Sequence, residues 1–234
     1  MWQWLLNLEW DAIVQIIIID ILLGGDNAVI IALACRNLPP KHRRLGIIWG
    51  AAGAIALRVI LITVAVALLT LPFLKLVGGL LLLWIGVKLI APPPEHDEHA
   101  SIQASDKLWA AIKTIIVADF VMSLDNVIAI AGAAEQADPS QRTGLIIFGL
   151  LVSVPFIVFG SQLILKLLDR LPIIVVLGGG LLGWIAGGLI VGDPIVQPYF
   201  PGDAYVGYVA SALGAVFVVA LAKWLERRRS GAAI

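Results

Sequence analysis

IIIIDILLGGDNAVIIALA, residues 16–34, and IIVADFVMSLDNVIAIAGA, residues 115–133, are two versions of one apolar segment. Asp20, Asp26 and Asn27 of the first fall on Asp119, Asp125 and Asn126 of the second, each 99 positions on. A second pair follows. LPFLKLVGGLLLLWIG from Leu71 matches LPIIVVLGGGLLGWIAG from Leu171, which sets Pro72 on Pro172 and Trp84 on Trp184. Segments of this length and apolarity suit the hydrocarbon layer of a membrane, which a helix crosses in roughly 20 residues.

The rest of the chain has the same character. It is 60% hydrophobic and 14% charged, against about 45–50% and 25% for soluble domains, and its mean hydropathy is +0.99. Charges, prolines and polar clusters divide it into seven apolar stretches: 11–34, 46–70, 72–91, 108–134, 144–168, 172–191 and 204–225. The runs are continuous rather than alternating, so helices are predicted and a barrel is not. Zero net charge and no long basic face exclude nucleic-acid binding, and the apolar content excludes disorder. Cys35 is the single cysteine, which rules out an internal disulfide and a cysteine-based metal cluster. The N-terminal MWQWLLNLEWD lacks a basic region and carries Glu9 and Asp11, so no cleaved signal peptide is expected.

The fold predicted is all-α: a polytopic membrane protein of seven transmembrane helices forming one transmembrane domain. Residues 11–91 form a first three-helix repeat, 92–107 a cytoplasmic linker, 108–191 a second repeat, and 204–225 the seventh helix. Three is odd, so the second repeat enters the membrane from the opposite side. Inverted repeats of this kind typify secondary transporters, with substrate sites near the midplane. Thirteen of the 16 basic residues fall on one side of this topology, against Lys75 and Arg142 on the other. By the positive-inside tendency the N-terminus is outside and the C-terminus cytoplasmic. Trp2, Trp4, Trp10, Trp109 and Trp224 near span ends fit an interfacial belt.

Asp20, Asp26, Asp119 and Asp125 are the costly residues, each about 2.5–3.5 kcal/mol at the centre of a span. Two readings account for them: a polar clamp of Asp and Asn between helices, or a cation site. Four Asp and two Asn repeated at corresponding depths favour the site. Residues six apart on an intact helix are turned about 120° from one face and about 9 Å apart along the axis. Antiparallel spans then put Asp20 level with Asp125 and Asp26 with Asp119, in two tiers. Gly24 and Gly25 permit a break in the first span that draws the tiers together, and Ser123 is the weaker candidate for a break in the fourth.

Carboxylate, amide and carbonyl oxygens suit hard divalent cations such as Mn²⁺, Mg²⁺ and Ca²⁺. Met122 reads either as packing or as a thioether favouring Mn²⁺. Arg58, within the second span, reads either as a salt-bridge partner of an Asp or as a tethered cation that exchanges with the metal. Four ionised Asp and one Arg give the core a charge of −3, which a divalent ion reduces to −1.

Other features are weaker. Glu95, His96, Asp97, Glu98 and His99 read as a charged, Pro-rich linker or as a metal-sensing loop. Gly46-x3-Gly50 and Gly183-x3-Gly187 indicate close helix packing. The loop DPIVQPYFPGD from Asp193 is either a turn-rich connector or a weak cation funnel. No GxxxxGK[ST] segment occurs, so ATP hydrolysis in this chain is not expected.

At GGDNAVIIAL and SLDNVIAIAG the chain resembles the TerC family of integral membrane proteins, within the larger LysE-type transporter group, over residues 11 to 225. The resemblance implies a seven-helix inner-membrane protein that exports manganese, in a family also linked to tellurite resistance. It carries onto Asp20, Asp26, Asn27, Asp119, Asp125 and Asn126 as metal-site residues, with Gly24, Met122, Ser123 and Arg58 as auxiliaries. A compact bacterial type without an appended soluble domain is expected. The function read here is Mn²⁺ export by alternating access, with Mn²⁺ as transported substrate and no organic cofactor or enzymatic activity. The alternatives are a non-transporting membrane partner that delivers metal to secreted enzymes, and a Ca²⁺/proton exchanger. Amino-acid export is disfavoured, since Arg58 alone would have to serve the substrate carboxylate against four acids. Expected partners are a divalent metal ion, the lipid bilayer, and a second copy of the chain or membrane proteins of the secretion route.

Overall fold

The computed structural model describes residues 10–69, 71–91, 104–134, 142–200 and 204–231. These residues form helices α1 (Trp10–Leu23), α2 (Gly25–Cys35), α3 (Pro40–Leu69), α4 (Leu74–Ile90), α5 (Ala104–Ala134), α6 (Arg142–Arg170), α7 (Ile173–Val191) and α8 (Ala204–Gly231), with a 3₁₀ turn at Gln197–Tyr199. Each apolar stretch of the sequence carries helix, the first of them as the pair α1–α2. Helices α3, α6, α7 and α8 are each long and apolar enough to cross a membrane, and α1–α2 makes a fifth span if the bent pair counts as one. With 17 residues, α4 is about 26 Å long, a little under the roughly 30 Å hydrocarbon core. The described helices therefore form an all-α, multi-pass membrane protein. The acidic linker residues Glu95 to His99, and Trp2 and Trp4, lie outside the described residues.

Helices stay regular in these segments because every backbone group must be satisfied without water. The break between α1 and α2 is the exception, and it falls at the predicted glycine. Gly24 has φ −96° and ψ 1°, and the two helices meet at 47°. A Cβ at Gly24 would run into the carbonyl oxygen of Asp20, so no other residue fits this turn without opening it. The predicted weaker break at Ser123 is absent: α5 is continuous through it. Serine has a Cβ and keeps helical geometry, and its hydroxyl donates one turn back to Asp119 Oδ2 at 3.2 Å. Pro155 lies inside α6, where it leaves the Leu151 carbonyl without its helical N–H.

α3 packs along α5, α6 along α1 and α2, α4 along α7, and α7 along α8. Glycines bring the last pair into backbone contact. A Cβ on Gly187 would stand 2.8 Å from Ser211 Cα, and one on Gly183 2.8 Å from Ala215 Cα. Isoleucine and leucine fill the interior, including Ile13, Ile16, Leu145 and Leu150 at one end and Leu33, Ile47, Ile115 and Leu165 at the other. The outer surface is apolar too, with Trp49, Trp84, Phe159 and Leu213 turned outward. Apolar side chains outside and charged ones inside is the arrangement a lipid solvent selects.

Two polar contacts finish the ends. Arg43 reaches back to the Leu38 and Arg36 carbonyls at 2.9 and 2.6 Å and pairs with Asp169 of α6 at 3.1 Å. At the other end the fully enclosed Asp193 accepts the N–H groups of Phe73 at 3.2 Å, Leu76 at 3.0 Å and Ile195 at 3.0 Å. It thereby caps α4, whose entry residue Phe73 is held at φ 68°. Asp193 is thus turned inward, away from the funnel role considered for its loop. Burial opposes its ionisation, but the N–H groups of Ile195, Leu76, Phe73 and Lys75 together hold the carboxyl below its ordinary value.

Asp193→Ala is therefore expected to destabilise the protein by about 1–2 kcal/mol, as loss of a helix cap does. A depressed carboxyl pKa stabilises above the unfolded value, about 3.9, and that contribution disappears as pH falls through the folded value. The melting-temperature gap between wild type and variant, measured in detergent, should be constant from neutral pH to about pH 5 and shrink below about pH 4. A gap that widens on acidification would contradict the assignment.

Candidate cation site

The buried polar centre is assembled from four helices. α1 supplies Asp20, α3 Arg58, α5 Asp119 and Ser123, and α6 Ser153; all five side chains are buried. Arg58 Nη1 donates to Asp20 Oδ1, and Nη2 donates to Asp119 Oδ1 at 2.6 Å. Its Nε donates to Ser123 Oγ at 3.1 Å, while the Ser123 hydroxyl donates to Asp119 Oδ2. Ser153 Oγ lies within hydrogen-bond reach of both Asp20 Oδ2 and the Leu150 carbonyl; its one proton goes to the carboxylate, the stronger acceptor. Every oxygen of the two carboxylates is therefore matched to a donor. One fork-shaped cation joins acids from the two halves of the chain.

This corrects the expected tiers. Asp20 meets Asp119, its own counterpart, through the Arg58 guanidinium. The salt-bridge reading of Arg58 holds for two acids at once.

Asp26 and Asn27 form the first turn of α2, just past the break. The backbone N–H of Asn27 donates to Asp26 Oδ1 at 2.8 Å, and the carboxylate sits at the positive end of the helix, where negative charge is favoured. Asn27 is 4% exposed, and neither of its buried amide atoms, Oδ1 nor Nδ2, has a hydrogen-bond partner among the described residues. Such a group costs about 1–3 kcal/mol. Its amide stands against the Gly24 turn: the position of a Cβ on Gly24 is 3.7 Å from Asn27 Nδ2. Asn126 lies on α5 and is bonded within the protein. Asp125 is on the described backbone of α5, but its side chain lies outside the described residues.

Met122 is buried in an apolar cluster with Ile30, Leu82, Ile85 and Leu182. It also lines an open cavity of about 250 Å³ with Trp184, Ile185, Gly188, Leu189 and Ser211. Among the described residues no three of His, Cys, Asp and Glu converge as a metal cluster. Arg58 holds two of the acids, so a cation here would draw on Asp26, the Asn27 carbonyl oxygen and whichever carboxylate Arg58 yields. That oxygen set suits Mn²⁺, Mg²⁺ or Ca²⁺.

Sequence reasoning missed Ser153. A hydroxyl within the apolar stretch 144–168 and two residues before Pro155 was the available signal, but serine is common in transmembrane helices and its partner is not deducible from spacing.

An apolar exterior around paired charges buried between helices defines a multi-pass membrane protein. The chain belongs to the TerC family of integral membrane proteins, whose model matches residues 6–230. Proteins of that family are membrane transporters, not enzymes, and are linked to metal transport. The chain is 40% identical over 215 residues to the uncharacterized membrane protein YjbE of Bacillus subtilis, covering 91% of this chain and 95% of that one. It is 26% identical to a UPF0053 protein of Haemophilus influenzae, with 97% and 99% covered. It is 23% identical to the UPF0053 inner membrane protein YoaE of Escherichia coli, where 94% of this chain spans 43% of the relative. No solved structure matches the chain.

Proposed function

We propose that this protein is a secondary transporter that exports a divalent metal ion, Mn²⁺ foremost, from the cytoplasm across the inner membrane. The observation that carries the reading is Asn27. An amide buried beside a carboxylate and a helix break, with neither polar atom partnered among the described residues, calls for a ligand to satisfy it. The oxygen-only donors select a hard cation, and the broken helix is the device by which transporters expose such donors at the midplane.

The reading includes seven spans in two inverted repeats, 11–91 and 108–191, joined by a linker over 92–107 and followed by a seventh helix, with the N-terminus outside and the C-terminus cytoplasmic. The packing supports it: α3 on α5 and α6 on α1–α2 are the same contact under exchange of the halves, and α4 on α7 is its own counterpart. The metal site in this reading is built from Asp20, Asp26, Asn27, Asp119, Asp125 and Asn126, with alternating access by rocking of one repeat against the other.

The test is Mn²⁺ flux in proteoliposomes. Wild type is expected to move the ion down its gradient, and Asp26→Ala with Asp125→Ala together to abolish that movement. Flux surviving the double substitution places the site elsewhere. Metal binding without any net flux in wild type favours the metal-delivery alternative.

A further inference from the structure

We propose that Arg58 is a resident cation: it occupies Asp20 and Asp119 whenever the transported ion is absent, and so lets the empty transporter return. This rests on the metal-export reading and names how the same site is emptied and reset. Asp20 and Asp119 come from the two halves of the chain, and both are held by a single guanidinium supplied by α3. The equivalent place in α6 has no basic residue, and that helix contributes the Ser153 hydroxyl instead.

The physical requirement is charge compensation. Two carboxylates a guanidinium's width apart, in a water-poor interior, are strongly unfavourable without a positive partner. A rocking transporter must pass through a state with no metal on each cycle, and in that state the pair would stand bare. Arg58 removes the problem because its long stem keeps the charge on the protein. When a divalent ion arrives, it outcompetes the single positive charge for at least one carboxylate, and the guanidinium withdraws. When the ion leaves, the guanidinium returns. Ser123 and Ser153 are placed to keep one oxygen of each acid satisfied during the exchange, since each hydroxyl bonds the carboxylate oxygen that Arg58 does not.

A purely structural salt bridge and a resident cation differ in which transport mode they affect. Exchange of metal for metal across the membrane needs only the loaded transporter to reorient. Net efflux needs the empty one to return as well. In proteoliposomes loaded with radiolabelled Mn²⁺, Arg58→Gln is expected to lose net efflux by about a hundredfold while metal-for-metal exchange persists. Arg58→Lys, which keeps the charge but not the fork, should retain a measurable net efflux. Mn²⁺ should also raise the melting temperature of Arg58→Gln more than that of wild type, because the ion replaces a missing charge rather than displacing one that is present.

Equal loss of exchange and net efflux in folded Arg58→Gln would overturn the proposal, and so would equal retention of both. Net efflux from Arg58→Lys as low as from Arg58→Gln would overturn it too. If Arg58→Gln does not fold, Arg58→Lys decides: exchange at the wild-type rate with slowed net efflux supports the proposal, and parallel loss sinks it. A wild-type protein that shows neither mode would instead overturn the export reading, so the two failures are told apart by the wild-type measurement.

Discussion

Arg58→Gln is expected to lower the stability of the detergent-solubilised protein by about 3–5 kcal/mol in metal-free buffer, the cost of removing one partner from a buried ion pair. Arg58 is 2% exposed and touches Asp20, Asp119 and Ser123, so its loss leaves two carboxylates facing each other with only hydroxyl donors. Adding Asp20→Asn and Asp119→Asn to Arg58→Gln should recover most of the loss, since a neutral polar centre of the same shape has no bare charge to bury. Asp20→Asn and Asp119→Asn without the Arg58 change should again be costly, because the guanidinium is then the unpaired ion. Thermal unfolding of the set closes a cycle, and groups in one network couple by about 0.5–3 kcal/mol. Strictly additive effects would mean that α1, α3 and α5 do not meet at one electrostatic centre.

Gly24→Ala should cost more than about 1 kcal/mol, the usual consequence of placing a Cβ where the backbone does not accept one. The added methyl meets the Asp20 carbonyl, and the chain relieves the clash by closing α1 and α2 into one straighter helix. That motion turns Asp26 and Asn27 away from their places beyond the break while leaving the Arg58 network, one turn earlier, in contact. Mn²⁺ flux is then expected to fall about a hundredfold, the scale on which misplacing a functional group by an ångström acts. The control is Gly25→Ala at the neighbouring glycine, where an added Cβ meets nothing within 4 Å. It leaves the turn open, so Mn²⁺ flux should be close to that of wild type. A flux loss at Gly25 as large as at Gly24 would show that the break itself is not what positions the site.

The two cases mark where sequence reading reaches and where it stops. The break at Gly24 was legible because glycine is a local property of the chain, and the continuity of α5 at Ser123 follows from the same property once a Cβ is present. The role of Arg58 was legible only as a choice between partners, because a lone buried cation must find an acid but its position along the chain does not say which. Ser153 carried a local signal, a hydroxyl two residues before Pro155, but nothing that named its partner. The inward turn of Asp193 was equally hidden, since its donors include Phe73 and Leu76, 120 and 117 positions away.

What the sequence by itself determined is the solvent of this protein and the register of its charges. Apolar runs of membrane length, and acids repeated 99 positions apart, follow from composition and spacing, which are one-dimensional quantities. Tertiary structure alone decided that Asp20 pairs with Asp119 through Arg58, and that the buried Asn27 amide finds no partner among the described residues. Those contacts join α1, α3, α5 and α6, and the level at which packed helices meet depends on where they bend and how closely they pack. A small difference in that depth decides whether Asp119 or Asp125 stands opposite Asp20, and no spacing within one helix encodes it.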